Sequence, residues 1–162
     1  MTNVLEYLEH AAKRSPSKTA VQDPDKSCTY AELLHSAQAV GSAVCGLVPP
    51  RSPVIVFTEK SVDALTAFMG IVYAGCFYVM VNPEHPASRI AQILSVTDAR
   101  LVLTDEAHMG KLKESGYTRA VHSIESLLGT PIRPGRLAQI RTGSADTDPL
   151  YCNFTSGSTG VP

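Results

Sequence analysis

Several features that mark common functional classes are missing from this sequence. Its 14 basic and 15 acidic residues leave a net charge of −1, so it lacks the positive excess with which proteins bind nucleic acid or anionic membranes. No basic segment leads into an apolar stretch near Met1, which argues against a secretory signal and favours a cytoplasmic location. The ligands of this protein must therefore be inferred from individual sites.

The cysteines and histidines follow no metal-binding or redox pattern. The four cysteines include no Cys-x-x-Cys pair, and we interpret them as reduced thiols in or near the core. The histidines show no metal-ligand spacing, so surface or turn positions are expected for them. The residues concerned are Cys28, Cys45, Cys76 and Cys152, and His10, His35, His85, His108 and His122. No metal site is predicted from these side chains.

One stretch without charge, residues 64–81, is too short for a membrane helix. A membrane span needs about 20 apolar residues, and Gly70 and Gly75 interrupt this stretch. Its spacing also changes from helical to β-type at Phe77, so we expect a helix followed by a buried strand.

Residues 54–121 alternate between short apolar runs and amphipathic segments. The runs at residues 54–57, 77–81 and 101–103 are typical of strands buried on both faces of a parallel sheet. The alternation predicts an α/β fold, with a mostly parallel sheet flanked by helices on both faces. A chain of 162 residues fits one such domain, residues 1–162.

Several polar residues, glycines and prolines predict where helices begin and end. Thr29 and Glu32 form a capping box before a long helix, and Ser61 is placed to cap the next one. Gly75 is suited to end that helix in a left-handed conformation, and Pro86 to occupy the first position of another. Residues 19–29 predict a hairpin.

The hydrophobic pattern of residues 130–148 has little periodicity, which predicts a long connection without regular secondary structure. Pro131, Pro134 and two glycines interrupt it. We expect part of it, residues 137–141, to form a strand, and we interpret its three arginines as solvated loop residues.

The last twelve residues combine an apolar strand with a loop of hydroxyls and glycines. Glycines allow backbone N–H groups to turn towards an anion, and hydroxyls can donate to phosphate oxygens. Ser156 does not lie in a Gly-x-Ser-x-Gly elbow, and no His or Asp follows it, so nucleophilic catalysis is disfavoured. A surface turn or a linker remains the alternative. The predicted phosphate-binding residues are Thr155, Ser156, Gly157, Ser158, Thr159 and Gly160.

Residues 154–162 resemble the Tyr-Thr-Ser-Gly-Thr-Thr-Gly-x-Pro-Lys-Gly signature of adenylate-forming enzymes, which include adenylation domains of nonribosomal peptide synthetases, acyl-CoA synthetases and luciferases. Residues 29–33 resemble the family's Thr-Tyr-x-Glu-Leu, and residues 74–90 resemble its Ala-Gly-x-Ala-Tyr-x-Pro-Ile-Asp-Pro and Pro-x-x-Arg-Ile. The departures are Tyr73 for Lys, Phe77 for Ala, Met80 for Pro, Asn82 for Asp and Phe154 for Tyr.

The resemblance implies a ligase that uses ATP and Mg²⁺ to activate a carboxylic acid as an acyl-adenylate and passes the acyl group to a carrier-protein or CoA thiol. The second motif favours an amino acid. It also implies that residues 1–162 are the N-terminal subdomain of such an enzyme and end within its phosphate loop. The acid pocket and catalytic lysines lie downstream in the family, so no catalytic residue is expected here, and this chain alone should be inactive. An acyl-CoA synthetase for a fatty or aromatic acid, or a non-catalytic module that retains the fold, are the alternatives.

Overall fold

The structure is a computed structural model that describes residues 3–154. Its elements follow in the order α1 (Leu5–Arg14), β1 (Thr19–Gln22), β2 (Ser27–Thr29), α2 (Tyr30–Val44), β3 (Pro53–Phe57), α3 (Val62–Tyr73), β4 (Phe77–Val81), α4 (Ala87–Thr97), β5 (Leu101–Thr104), α5 (Met109–Glu114), β6 (Ala120–Ser123), α6 (Ile124–Leu128), α7 (Pro134–Thr142) and β7 (Tyr151–Cys152). The predicted α/β class is confirmed.

Within residues 3–154, five strands form one sheet in the order β6-β5-β3-β4-β7, and every neighbouring pair is parallel. Strands β1 and β2 pair separately as the predicted antiparallel hairpin. Because parallel strands share one direction, the carboxyl ends of β3, β4, β5 and β7 lie at the same edge of the sheet.

Both faces of the sheet are covered, as the apolar runs predict. One face packs against α2, α3 and α6 through side chains that include Val54, Val56, Leu101 and Leu103. The other face packs against α4 and α5 through side chains that include Ile55, Phe57, Val79 and Val81. Helices α1 and α7 form an outer layer over α2 and α3. The alternation of successive side chains between the faces therefore places the central strands entirely in the core.

Helices α2 and α3 pack closely because each has a glycine at the contact. A Cβ atom on Gly41 would lie 2.6 Å from Cβ of Tyr73, and one on Gly70 would lie 2.5 Å from Cγ1 of Val40. Both distances are shorter than real Cβ contacts, so these glycines set the spacing between the helices.

The predicted helix boundaries are largely confirmed. The Thr29 hydroxyl accepts from the backbone N–H of Glu32 at 3.3 Å, and the Glu32 carboxylate accepts from the backbone N–H of Thr29 at 2.8 Å. The Ser61 hydroxyl accepts from the Ala64 N–H at 3.1 Å. Gly75 has φ +70 and follows α3 in the left-handed region. Pro86 differs slightly, since it is the residue before the first helical position of α4.

The strand expected at residues 137–141 is wrong, because this segment belongs to helix α7. Leu137 and Ile140 lie one helical turn apart, are both buried, and pack on the rest of the protein from the same side. Pro134 occupies the first helical position, where its missing N–H costs no hydrogen bond. Arg141 is not a solvated loop residue either, since its guanidinium donates to Glu9 Oε1 at 2.7 Å.

Residues 64–81 are divided between α3 and β4, with Gly75 between them. In the part of the chain from residue 3 to residue 154, no helix combines the length and apolar character needed to cross a membrane.

Candidate functional site

The residues predicted to bind phosphate follow the last described residue of the chain. Thr155, Ser156, Gly157, Ser158, Thr159 and Gly160 all lie outside the described residues. The structure describes the strand that leads to them and the side chains that surround its carboxyl end.

Strand β7 lies at one side of the sheet, paired in parallel with β4. Tyr78 pairs with Tyr151, and Val79 pairs with Cys152. Phe154 packs with Cys152 against the apolar cluster between the sheet and α4. Thr155, the next residue in sequence, therefore follows a partly buried side chain that packs against this cluster.

The strand is shorter than the predicted 150–154, and its side chains do not all share one face. Leu150 packs with α1, α3 and α7, whereas Cys152 and Phe154 pack on the α4 side. The pairing with β4 begins only at Tyr151, so the strict alternation of a paired strand does not extend back to Leu150.

Three stacked aromatic rings secure β7 on the face opposite Phe154. The Phe68 and Tyr78 rings lie 4.2 Å apart at 17°, and the Tyr78 and Tyr151 rings lie 5.9 Å apart at 23°. Tyr151 is the outermost ring of this stack, because β7 is an edge strand of the sheet in residues 3–154, and its side chain is 53% exposed. Ring packing thus supplements the short backbone ladder.

The loop after β4 begins at the carboxyl end of the strand that pairs with β7. The Asn82 side chain accepts from the Glu84 N–H at 3.0 Å, and the Asn82 carbonyl accepts from the His85 N–H at 3.1 Å. An amide oxygen can accept this bond as an Asp carboxylate would. The departure from Asp at position 82 therefore leaves the turn intact.

Strands β3 and β5 form a topological switch point. The connection from β3 leads through α3 to β4 on one side, and the connection from β5 leads through α5 to β6 on the other. Helix α3 packs on one face of the sheet and α5 on the opposite face. In open α/β sheets, such a divergence leaves a crevice at the carboxyl ends of the strands.

Three side chains at this switch point are joined by hydrogen bonds. The Thr58 hydroxyl donates to Asp105 Oδ2. The Asp105 carboxylate also accepts from the His108 backbone N–H at 2.8 Å and lies 2.7 and 2.8 Å from His108 Nδ1. We call Thr58, Asp105 and His108 the switch-point clamp, because they join the loop after β3 to the loop after β5.

The environment of Asp105 favours its charged form. Burial raises the pKa of Asp105, but hydrogen bonds from Thr58 and from the backbone and ring of His108 together outweigh burial, and the pKa lies below its usual value. Thr58 is only 3% exposed. A charged acceptor that satisfies a buried hydroxyl is a stable arrangement.

The expected surface or turn position of His108 is confirmed, since it lies in the turn before α5, but the sequence does not predict the clamp. His108 is half-buried, and its ring meets the Phe57 ring edge-on at 6.2 Å between centroids. The available signal was an Asp directly after a buried strand with a His three residues later, a spacing at which an Asp side chain can accept from the later backbone N–H.

A second carboxylate at this edge occupies the N-terminus of α3. Asp23, in the turn of the β1–β2 hairpin, accepts from the Val62 N–H at 2.8 Å. Lys26 of the same turn lies 2.5 Å from Asp63. The hydrogen bonds from the Val62 and Lys26 backbones lower the pKa of Asp23. The positive end of the α3 dipole is thus already paired with an internal anion.

An open groove of about 290 Å³ lies at the opposite, amino edge of the sheet, next to α7. Arg51, Arg136 and Asp148 line it. Arg51 has φ 65, an uncommon backbone conformation, and its Nε donates to Asp148 at 2.8 Å. The groove therefore lies at the opposite edge of the sheet from the carboxyl end of β7. Within it, Arg51 is paired with Asp148, and Arg136 donates to the neutral side chain of Gln139 at 2.8 Å.

Among residues 3–154, no group of three or more His, Cys, Asp and Glu residues is arranged to hold a metal ion. The four cysteines are free thiols, with Cys76 buried and the others half-buried. Burial raises the pKa of Cys76 to about 11, so its unreactive thiol form dominates at neutral pH.

The sequence of this chain is similar to those of known enzymes. A family model described as AMP-binding enzyme matches residues 8–162. Phosphinothricin tripeptide synthetase PhsC of Streptomyces viridochromogenes is 34% identical over 96% of this chain, and nonribosomal peptide synthase roqA of Penicillium rubens is 35% identical over 96%. The chain spans only 14% and 6% of the lengths of these relatives.

A similar fold is present in the crystal structure of VinN. Its TM-score with this chain is 0.78 at 25% sequence identity, over 98% of this chain and 43% of VinN. A further structure of VinN is a complex with L-aspartate. The fold of this chain is thus found within the longer chain of VinN.

Proposed function

The chain belongs to the family of AMP-binding enzymes, and we propose that residues 1–162 form the N-terminal part of an ATP-dependent ligase that activates an amino acid as an acyl-adenylate. The observation that carries the proposal is that residues 155–160 follow shortly after the parallel strand β7, with Phe154 between them packed against the apolar cluster on the α4 side of the sheet. Ligands of open α/β sheets bind at this edge.

In the proposed reaction, a carboxylate oxygen of the amino acid attacks the α-phosphorus of ATP. A new phosphorus–oxygen bond forms, the bond to the β-phosphate oxygen breaks, and pyrophosphate leaves. The backbone N–H groups and hydroxyls of residues 155–160 would bind the β- and γ-phosphates, where negative charge increases as pyrophosphate departs. Mg²⁺ would neutralise part of that charge, and the hydroxyls of Thr155 and Thr159 suit an oxygen-preferring ion.

The choice of an amino acid rests on relatives. PhsC and roqA are peptide synthetases by name, and VinN binds L-aspartate in one structure. We propose that the acyl group is then transferred to a carrier-protein thiol, with CoA as the alternative acceptor. We assign the reaction to the cytoplasm, where ATP and reduced thiols are both abundant.

The free energies of the hydrogen bonds that residues 155–160 can make set a limit on how tightly this chain binds ATP. Three or four charge-assisted hydrogen bonds of about 1.5–3 kcal/mol each give roughly 5–12 kcal/mol. Association costs about 4–15 kcal/mol, so the 162-residue chain should bind ATP no more tightly than about 1 mM. It should catalyse no amino-acid-dependent exchange of pyrophosphate into ATP, and such exchange by this chain alone would contradict the proposed division of the enzyme.

Magnesium pyrophosphate titrated into the ¹⁵N-labelled chain tests the phosphate site directly. We expect chemical-shift changes concentrated at residues 155–160, with a dissociation constant of about 1 mM or weaker. The double substitution Thr155→Ala/Ser156→Ala should abolish measurable binding. Ser95→Ala on the exposed face of α4 is the matched control and should bind as the wild type does. Shifts that avoid residues 155–160 would contradict the proposal.

A further inference from the structure

The switch-point clamp has a continuous packing connection to the strand that precedes the predicted phosphate loop. Asp105 holds the His108 ring through Nδ1 at 2.7 Å. That ring meets Phe57 edge-on, and Phe57 is fully buried in the cluster that also contains Val81. Phe154 packs against the same cluster. The residue before Thr155 therefore shares a packed core with the aromatic side chain that the clamp orients.

From this arrangement, we propose that Asp105 is a positioning residue for the phosphate loop, acting through His108, Phe57 and the apolar cluster that holds Phe154. The proposal rests on the proposed function, since it assigns Asp105 a role in orienting the site that would bind pyrophosphate. Asp105 touches neither substrate nor reacting atoms in this role.

Two features allow Asp105 and its neighbour Thr104 to hold the loops after β3 and β5, and Phe57, in place. It accepts hydrogen bonds from both loops at the switch point, so neither loop can shift without breaking a bond to a charged acceptor. The Thr104 hydroxyl, one residue earlier, donates to the Phe57 carbonyl at 2.6 Å. Phe57 is therefore tied to the β5 side by its backbone and by its ring.

Close packing explains why a change at the clamp reaches the loop. The cluster residues Ile55, Phe57, Val79, Val81 and Ile90 are each at most 1% exposed, and a dense interior transmits small displacements. The His108 ring is bonded to the clamp on one side and packed against Phe57 on the other. If it reorients, the fully buried Phe57 passes the displacement to the cluster, and Phe154 is one of the partly buried side chains at the cluster's margin that can move.

The substitution Asp105→Asn tests the proposal in the 162-residue chain. It preserves the size of the side chain but removes the charge and one acceptor, so the Thr58 and His108 bonds cannot all persist. We expect the backbone amide signals of Phe154, Thr155 and Ser156 to shift in the unliganded protein. We also expect the affinity for magnesium pyrophosphate to fall by about 2- to 30-fold, the range of long-range coupling through packed networks.

The control is Asp98→Asn, the same chemical change at the opposite end of β5. Asp98 is paired with Arg119 at 2.5 Å, and its left-handed backbone also suits Asn. This variant should leave the signals of residues 154–156 and the pyrophosphate affinity unchanged. Equal effects from the two variants would refute a specific role for Asp105.

A second variant separates positioning from general stability. His108→Phe keeps a ring against Phe57 but removes the bond to Asp105, and it should give shifts at residues 154–156 in the same direction as Asp105→Asn. Thermal unfolding is measured for every variant. Loss of stability with unchanged signals at residues 154–156 would overturn the proposal, since a merely structural residue behaves in that way.

The two proposals fail in different ways. If wild-type protein does not bind magnesium pyrophosphate at residues 155–160, the phosphate site is wrong, yet the unliganded amide signals still report whether Asp105 positions the loop. If wild type binds but Asp105→Asn changes neither these signals nor the affinity, the phosphate site stands and the role of Asp105 is refuted.

Discussion

The two halves of the carboxyl edge of the sheet differ in how their polar groups are satisfied. On the β3–β5 side, the Asp105 carboxylate fills the switch point, and Asp23 and Ser61 bind the N-terminus of α3. On the β4–β7 side, α4 begins after Pro86, which has no side-chain acceptor, and its first turn contains no acid. Internal carboxylates thus occupy the half of the edge that does not contain β7.

This difference bears on the proposed binding of an anion after β7. A polyphosphate near β3 and β5 would meet two carboxylates with lowered pKa values, which remain charged at neutral pH. Repulsion by these charges disfavours an anionic ligand there. The β4–β7 half has no such charge directly after its strands, since Asn82 and Asn153 follow β4 and β7. If the two halves differ in this way, matched substitutions on each half should change the free energy of unfolding by different amounts.

The largest expected effect is that of Asp105→Ala. The buried Thr58 hydroxyl and the His108 N–H lose their acceptor, which should lower the free energy of unfolding by about 2–3 kcal/mol. Urea denaturation measures the change. On the other half of the edge, Asn82→Ala removes an acceptor in an exposed turn and should cost less than about 1 kcal/mol. Equal costs would mean that the two halves do not differ in this way.

A smaller effect is expected at the helix N-termini. Ser61→Ala removes the side-chain cap of α3 and should destabilise the protein by about 1 kcal/mol. Ser88→Ala, in the exposed first turn of α4, should change the stability by no more than about 0.5 kcal/mol. Thermal unfolding followed by circular dichroism compares the two variants, and a larger loss for Ser88→Ala would reverse the contrast.

The smallest effect is a change in pH dependence. The folded-state pKa of Asp105 is lowered from 3.8, so its stabilising contribution is present above that value and is lost as the pH falls through the lower, folded value. The free energy of unfolding of Asp105→Asn should therefore fall less steeply below pH 4 than that of the wild type. Parallel curves for the two proteins between pH 2 and 5 would show that Asp105 does not contribute.

The parts of the fold that could be predicted have local signals. The capping box at Thr29 and Glu32 depends on two side chains and their own backbone, and Gly75 is needed where the chain takes a positive φ. Strands β3 and β5 can be recognised in the sequence as continuous apolar runs, because both of their faces are buried. For these elements, the conformation that the local sequence favours is the one that the folded protein adopts.

The parts that could not be predicted depend on distant residues. Helix α7 has only two buried positions, and its stability comes from packing on α2 and α3 and from the bond between Arg141 and Glu9. The clamp joins Thr58 to Asp105, which are 47 positions apart, through a strand order that the sequence does not reveal. The predicted residues 155–160 stay a prediction, because they lie outside the described residues.

Strand β7 has a mechanical consequence that follows from its short ladder. In the described chain, only Tyr151 and Cys152 pair with β4, so the strand that carries the predicted ligand loop is also the one with the fewest backbone bonds to the sheet. Under a pulling force applied at the C-terminus, β7 should peel away before the inner strands yield.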